Sequence, residues 1–373
     1  MSGETPSRMT PSRRTPSRVI PTPESVTPAW LTERLREAGH REAEVRTLKG
    51  TRIGTGQIGQ CIRYELDLAA GDDSVPRTLV GKFPSDDPQS RQTGVQLKNY
   101  RKEVSFYREL QSSVRIRTPR CYYADIVGDG PEHMLLLEDL APAEQGDQLG
   151  GCSPEVARAA VQELVGLHAP SWCDAELRGV EWLGEPNDLL IQLGRALYRA
   201  QLPAFLDRFG PRLAPDEAGI IERVADSKAA PFEPLGDVFG IVHVDYRLDN
   251  LLIDERSSPP AVAVVDWQSV TLGNPLSDVA YFLGAGLAPE VRAAEEREIV
   301  AEYHRALEKA GVSAYPFEQC WTDYRRGAFA GFAVTVVASV MVQQTERGDE
   351  MFTAMARRHA RHALDLGAEE FLG

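Results

Sequence analysis

Cysteine is scarce in this chain and forms no pattern. The five residues, at 61, 121, 152, 173 and 320, are scattered, odd in number and free of any Cys-x-x-Cys. That argues against a disulfide framework and a zinc site, and reads as a reduced, cytoplasmic protein. Net positive charge is lacking too: the formal charge is −14. An acidic protein suits nucleic acid poorly but tolerates a cationic small molecule. There is no long apolar run. The longest uncharged stretch, Gly327 to Thr345, is diluted by Gly, Ala, Thr and Ser. It falls short of the roughly 20 apolar residues of a membrane span, so it reads as a buried core helix and no membrane partner is expected. Nothing near the N-terminus suits a signal peptide or a transit helix, and no internal domain repeat is visible.

What is present is ordinary globular composition, 42% hydrophobic and 26% charged over 373 residues, enough for two lobes with buried cores. Residues 1–26 stand apart. Thr-Pro-Ser-Arg occurs at 5–8, 10–13 and 15–18, a composition that predicts a solvated, disordered tail. Order is expected from Thr27-Pro28, a helix cap followed by proline at the first helical position. A strand follows around 45–48.

Next comes Gly54-Thr55-Gly56-Gln57-Ile58-Gly59, a Gly-x-Gly-x-x-Gly pattern that is weak alone. In a dinucleotide-binding fold the third glycine opens a helix; in a kinase the turn joins two antiparallel strands over the phosphates; a plain hairpin is the third possibility. After Gly59, Ile62, Tyr64, Leu66 and Leu68 alternate with charged residues, which is the period of a strand and favours the kinase use. Another strand, Thr78 to Phe83, carries Lys82. A helix is predicted over 97–110, with Leu97, Tyr100, Val104, Tyr107 and Leu110 inward and Glu103 bordering that face. A buried carboxylate needs a partner, and Lys82 is the natural one. Met134 to Leu137 make a buried strand running into Glu138-Asp139-Leu140. Beyond it Ser153-Pro154 caps a helix ending near His168, read as structural. Residues 185–230 and 290–373 read as mainly helical, with Arg/Glu-rich outer faces. Trp172, Trp182, Tyr198 and Phe205 suit a pocket wall or a core equally.

The richest stretch is 241–268. Ile241-Val242 delivers His243 and Asp245 into a loop, Asn250 follows five after Asp245, and two apolar strands come next, the second ending on Asp266. Asp245, Asn250 and Asp266 together would suit a hard divalent cation and a hydroxyl to be deprotonated.

His-x-Asp-x-x-x-x-Asn followed by a strand ending in Asp resembles the catalytic and metal-binding segments of the protein-kinase-like fold. Gly273-Asn274-Pro275-Leu276-Ser277-Asp278 makes the likeness closer to its small-molecule branch, the aminoglycoside phosphotransferase and choline kinase-like (CHK kinase-like, ecdysteroid kinase-like) families. Val244 and Asn274 depart from the usual spellings, Gly and Asp. The resemblance implies an α+β, bilobal fold: a small antiparallel-sheet N-lobe with one main helix over 27–140, and a larger, mainly helical C-lobe over 141–373. It implies ATP as donor, with GTP left open, Mg2+ as the metal, and a small-molecule hydroxyl as acceptor. Asp245 would take the acceptor's proton. Asn250 and Asp266 would hold the metal. Lys82, fixed by Glu103, would hold phosphates beneath the backbone of Gly54, Gly56 and Gly59. Arg247 would reach the transferred phosphate or make a structural contact. His243 would be scaffolding, Asp249 an exposed loop residue rather than a third metal oxygen, and Asp278 a cap or brace for the loop. A non-catalytic nucleotide-binding regulator is the alternative. A protein kinase is disfavoured, because only residues 269–272 separate Gln268 from Gly273, which leaves no long activation segment.

Overall fold

A computed structural model of the chain describes residues 19–54, 58–227, 233–342 and 344–373. Five antiparallel strands form the N-terminal sheet: β1 (Glu44–Ile53), β2 (Gly59–Ala70), β3 (Thr78–Pro84), β4 (Cys121–Ile126) and β5 (His133–Glu138), in the order β1-β2-β3-β5-β4. β1 runs well past the expected 45–48, because Val45 through Ile53 pair along β2 as far as Cys61. β5 shows the strand period at full burial. Met134 and Leu136 enter the core shared with helix α1 (Pro28–Glu37), while Leu135 and Leu137 enter the core shared with the C-terminal helices. Helix α1 starts as its sequence requires, with the Thr27 hydroxyl accepting from Trp30 N at 3.2 Å and Pro28 at the first position.

Two expectations for this lobe need correction. The disordered tail does not extend to residue 26. Residues 1–18 lie outside the described residues, but Val26 is buried, Ile20 packs on the same core, and the Tyr64 hydroxyl donates to Pro23 O at 3.4 Å. The single helix over 97–110 is divided. Helix α2 (Pro88–Gln96) begins on Asp87, whose carboxylate accepts from Ser90 N at 2.7 Å. Helix α3 (Asn99–Ser105) follows, and a π-helical turn (Phe106–Leu110) continues it. Lys98 between α2 and α3 is left-handed (φ 56°), so Leu97 is exposed rather than inward. Tyr100, Val104, Tyr107 and Leu110 are buried as the stripe requires.

The remainder is mainly helical: α4 (Pro154–His168), α5 (Asp188–Phe209), α6 (Pro215–Asp226), α7 (Leu276–Gly286), α8 (Pro289–Lys309), α9 (Phe317–Gly327), α10 (Ala330–Met341) and α11 (Glu346–Asp365). Two small strand groups interrupt it. Strands β6 (Glu144–Gln145), β8 (Leu251–Asp254) and β9 (Ala261–Val264) form one; β7 (Gly240–Val242) pairs with β10 (Thr271–Gly273) in the other. Helix α7 is buried on nearly every side and is the axis of this lobe. Trp182, Tyr198 and Phe205 are core residues, and Trp172 packs against Tyr315. The faces of 290–373 are not uniformly outward: Arg292 and Glu296 of α8 are buried. Among the described residues, no helix is long and apolar enough to cross a membrane.

Candidate active site

Strand alternation sends Leu79 and Phe83 of β3 into the outer core and leaves Lys82 on the other face. There its ammonium meets Glu103 Oε1 of α3 at 2.7 Å and Asp266 Oδ1 at 2.8 Å. Burial alone would lower the lysine's pKa, but the Asp266 and Glu103 carboxylates outweigh it and hold the ammonium well above its usual range. Burial pushes Glu103 up against the pull of Lys82. Asp266 moves the other way: burial opposes its charge, and the Lys82 ammonium still brings it down. Two more contacts tie α3 and its π turn to this spot. Asn99 Nδ2 donates to Gln268 O at 3.1 Å, and the rings of Phe106 and Trp267 stack at 3.7 Å.

The described ends of the glycine-rich stretch are Gly54, Ile58 and Gly59. Gly54 takes a left-handed φ of +73°, which favours glycine there. At Gly59 a Cβ would come 3.0 Å from Phe83 O and 3.4 Å from Lys82 Cε, so a side chain would crowd the lysine stem. Tyr100 Oη holds the end of the turn by donating to Ile58 O at 2.7 Å. Gly56 lies outside the described residues.

The 243–250 loop is built around Asp278. Its two carboxylate oxygens accept from His243 N at 2.7 Å and Val244 N at 2.9 Å, which is the brace expected of it. His168, fully buried, stands behind: Nδ1 lies 2.8 Å from Tyr303 Oη and Nε2 3.5 Å from Asp278 Oδ2. Val244 is left-handed (φ 72°), a strained conformation for a β-branched residue.

Asp245 is held on both oxygens. Oδ1 accepts from Arg247 Nε at 3.0 Å and Tyr281 Oη at 3.1 Å; Oδ2 accepts from Asn250 Nδ2 at 2.9 Å. Asn250 O accepts from Val265 N at 3.0 Å, and His243 Nε2 lies 3.0 Å from Val265 O, so the loop is registered against the residue preceding Asp266. Arg247 pairs with Asp245 and, at 2.5 Å, with Asp249; burial opposes its charge but Asp245 keeps it firmly protonated.

Asp249 is therefore no exposed loop residue. It also accepts from Gln148 N at 3.0 Å, while its backbone oxygen accepts from Gln145 Nε2 at 2.6 Å. Gln148 is buried and accepts from Leu248 N at 2.9 Å, and Arg358 of α11 donates to the carbonyls of Gln148, Leu149 and Ala285. Sequence reasoning missed Gln145, Gln148, Tyr281 and Arg358, which lie outside any motif.

Asn250 and Asp266 are the residues that could face a metal. Asn250 spends its amide N–H groups on Asp245, which leaves its Oδ1 to offer. Among the described residues, Asp266 Oδ2 takes only a 3.2 Å contact from Gln268 Nε2. Among the described residues no group of three or more His, Cys, Asp or Glu could hold a metal. Two hard oxygens still fit Mg2+, which keeps waters and phosphate oxygens in its shell.

A family model described as the phosphotransferase enzyme family matches residues 72–318. A choline kinase from Cryptosporidium parvum shares the fold at TM-score 0.54 and 10% identity, over 86% of this chain and 89% of that one. An ethanolamine kinase from Plasmodium vivax does so at TM-score 0.51 and 9% identity, over 84% and 83%. The GDP complex of aminoglycoside 2'-phosphotransferase-IIIa does so at 0.51 and 13%, over 89% and 98%. Curated relatives match shorter stretches. A probable acyl-CoA dehydrogenase of Arabidopsis thaliana is 29% identical over 127 residues, and acyl-CoA dehydrogenase family member 11 of Pongo abelii is 43% identical over 42. The matches span 34% and 11% of this chain but only 15% and 5% of those proteins. With the family model covering most of the chain and these neighbours sharing its bilobal, protein-kinase-like architecture, the chain belongs to the phosphotransferase enzyme family.

Proposed function

We propose that the chain is a small-molecule kinase that moves the γ-phosphate of ATP to a hydroxyl of a small acceptor, with its nucleotide held between the lobes on either side of residue 140. The observation that carries this reading is Lys82, half-buried on the sheet, kept charged, shared by Glu103 and Asp266 and lying against Gly59. A cation fixed there is suited to phosphate oxygens.

Asp245 takes the proton of the acceptor hydroxyl as its oxygen bonds the γ-phosphorus and the bond to the β-phosphate oxygen breaks, releasing ADP. Asn250 and Asp266 would hold Mg2+, which when bound neutralises phosphate charge. We assign Arg247 to holding Asp245, since its guanidinium is engaged by Asp245 and Asp249. Against a protein kinase stands the short path from Asp266 to α7, filled by a 3-10 turn (Trp267–Ser269) and β10. Against a silent nucleotide-binding regulator stands the complete set of Lys82, Asp245, Asn250 and Asp266.

The acceptor class is the finer question. Solved neighbours are named for choline, ethanolamine and aminoglycosides, and both curated relatives for acyl-CoA dehydrogenation. The test is Mg2+-dependent turnover of ATP, and of GTP in parallel, against choline, ethanolamine, an aminoglycoside and hydroxyacyl-CoA thioesters. Acceptor-stimulated ADP release from one of these supports the reading. Neither turnover nor stabilisation by Mg·ATP would sink it.

A further inference from the structure

Asp245 can act as a base only if its carboxylate is aimed, and a carboxylate turns easily about its last torsion. We propose that Tyr281 of α7 is a positioning residue for Asp245, fixing by its hydroxyl which carboxylate oxygen is left to meet the acceptor; this rests on the small-molecule kinase reading above.

Asp278 and Tyr281 lie three apart on α7, so they share a face. Asp278 holds the backbone of the loop at His243 and Val244, and Tyr281 holds the side chain at its tip, 3.1 Å from Asp245 Oδ1. With Arg247 on the same oxygen, Oδ1 carries two donors and Oδ2 one. A carboxylate oxygen accepts about two hydrogen bonds, so Oδ2 is the one with room for a substrate hydroxyl.

The phenol is itself rigid. Tyr281 is 1% exposed, and its ring stacks on His359 with centroids 5.2 Å apart and planes 22° from parallel. His359 is fully buried and sits where glycine leaves room: a Cβ at Gly331 would come 2.1 Å from its ring, and one at Gly284 2.9 Å. A tyrosine whose hydroxyl merely found an acceptor in the core would leave the rate unchanged when that hydroxyl is removed.

Tyr281→Phe keeps the ring and its stacking and deletes only the donor. Its kcat is measured as ADP release with Mg·ATP, using choline, ethanolamine, an aminoglycoside and a hydroxyacyl-CoA thioester as acceptors, and with water as acceptor in Mg·ATP hydrolysis. We expect kcat to fall about 10- to 100-fold, the scale of a hydrogen bond to a charged group, with KM for ATP unchanged. In an Asp245→Asn background the same change should cost nothing further, because coupled residues are not additive. Rates are read below each variant's own melting temperature, so a lower Tm does not decide the outcome. Wild-type kcat in Tyr281→Phe, an equal loss in both backgrounds, or a loss confined to KM would overturn the proposal. These outcomes presuppose an active wild type; an inert wild type unshifted by Mg·ATP would instead remove the kinase reading beneath it.

Discussion

Two clusters of charge in the molecule are built to opposite ends. The first is Lys82 with Glu103 and Asp266, open to the cleft: Lys82 is 15% and Asp266 27% exposed. The second lies among α8, α9 and α11. Arg292, 1% exposed, bonds both oxygens of Glu296 at 2.8 and 2.9 Å and pairs with Asp365; Tyr324 Oη donates to Glu296 at 2.8 Å, and His362 lies 2.9 Å from that hydroxyl. The sealed cluster rests entirely on regular helix. The cleft cluster contains or adjoins two left-handed non-glycine residues, Asp266 (φ 68°) and Val244 (φ 72°). Such positions persist only where the surroundings hold them, and the helical cluster contains none. Within the second cluster only the Arg292–Glu296 pair is sealed; Asp365 at its edge is 34% exposed, so the guanidinium and not every carboxylate is shut from water.

Breaking the sealed cluster should have the largest effect on stability. Arg292→Met leaves the buried Glu296 without its guanidinium and should cost about 3–5 kcal/mol in urea melts; a loss under about 1 kcal/mol would show the pair to be dispensable. Acid should act next, and through buried histidine rather than the cleft. Burial lowers His359 to about 3 and His133 to about 4. Both folded values lie below the ordinary 6.5, so the unfolded chain takes up protons first as pH falls. Their contribution is complete above about pH 6.5 and is lost below it, at roughly 1.4 kcal/mol per pH unit for each. Asp266, depressed instead, loses its contribution only below about pH 4. Urea midpoints that stay flat from pH 7.5 to 5 would contradict this. The smallest effect is expected at Val244→Gly. Relief of the left-handed strain should offset lost contacts and added chain entropy, leaving stability within about 1 kcal/mol of wild type. A loss above about 2 kcal/mol would show that Val244 is not strained.

The two clusters also differ in how far the sequence reveals them. Lys82, Asp245, Asn250 and Asp266 each sit at the end of a short apolar strand or a fixed step from one, so local periodicity places them. The α3 face placed Glu103, even though Asp87-Pro88, a helix start in plain view, was missed and with it the break at Lys98. Arg292 and Glu296, four apart on a helix, look like any solvated pair; only the packing of α9 and α11 over them makes them interior. Tyr281, Gln148 and Arg358 act across long sequence separations, through contacts that no spacing encodes. Asp249 read as exposed because loop residues usually are, and the partners that enclose it come from residues 145–148 and Arg247.

The central claim is that the cleft cluster receives Mg·ATP, and Asp266→Asn tests it most directly. Asn keeps the shape at the strand end and removes the charge facing the metal. Wild type and variant are melted alone, with ATP, and with ATP plus magnesium. The account predicts similar melting without ligand. It predicts that magnesium with ATP at 100 times the dissociation constant stabilises wild type by about 2.7 kcal/mol, with most of that shift lost in the variant. Equal Mg·ATP shifts in the two proteins would contradict it.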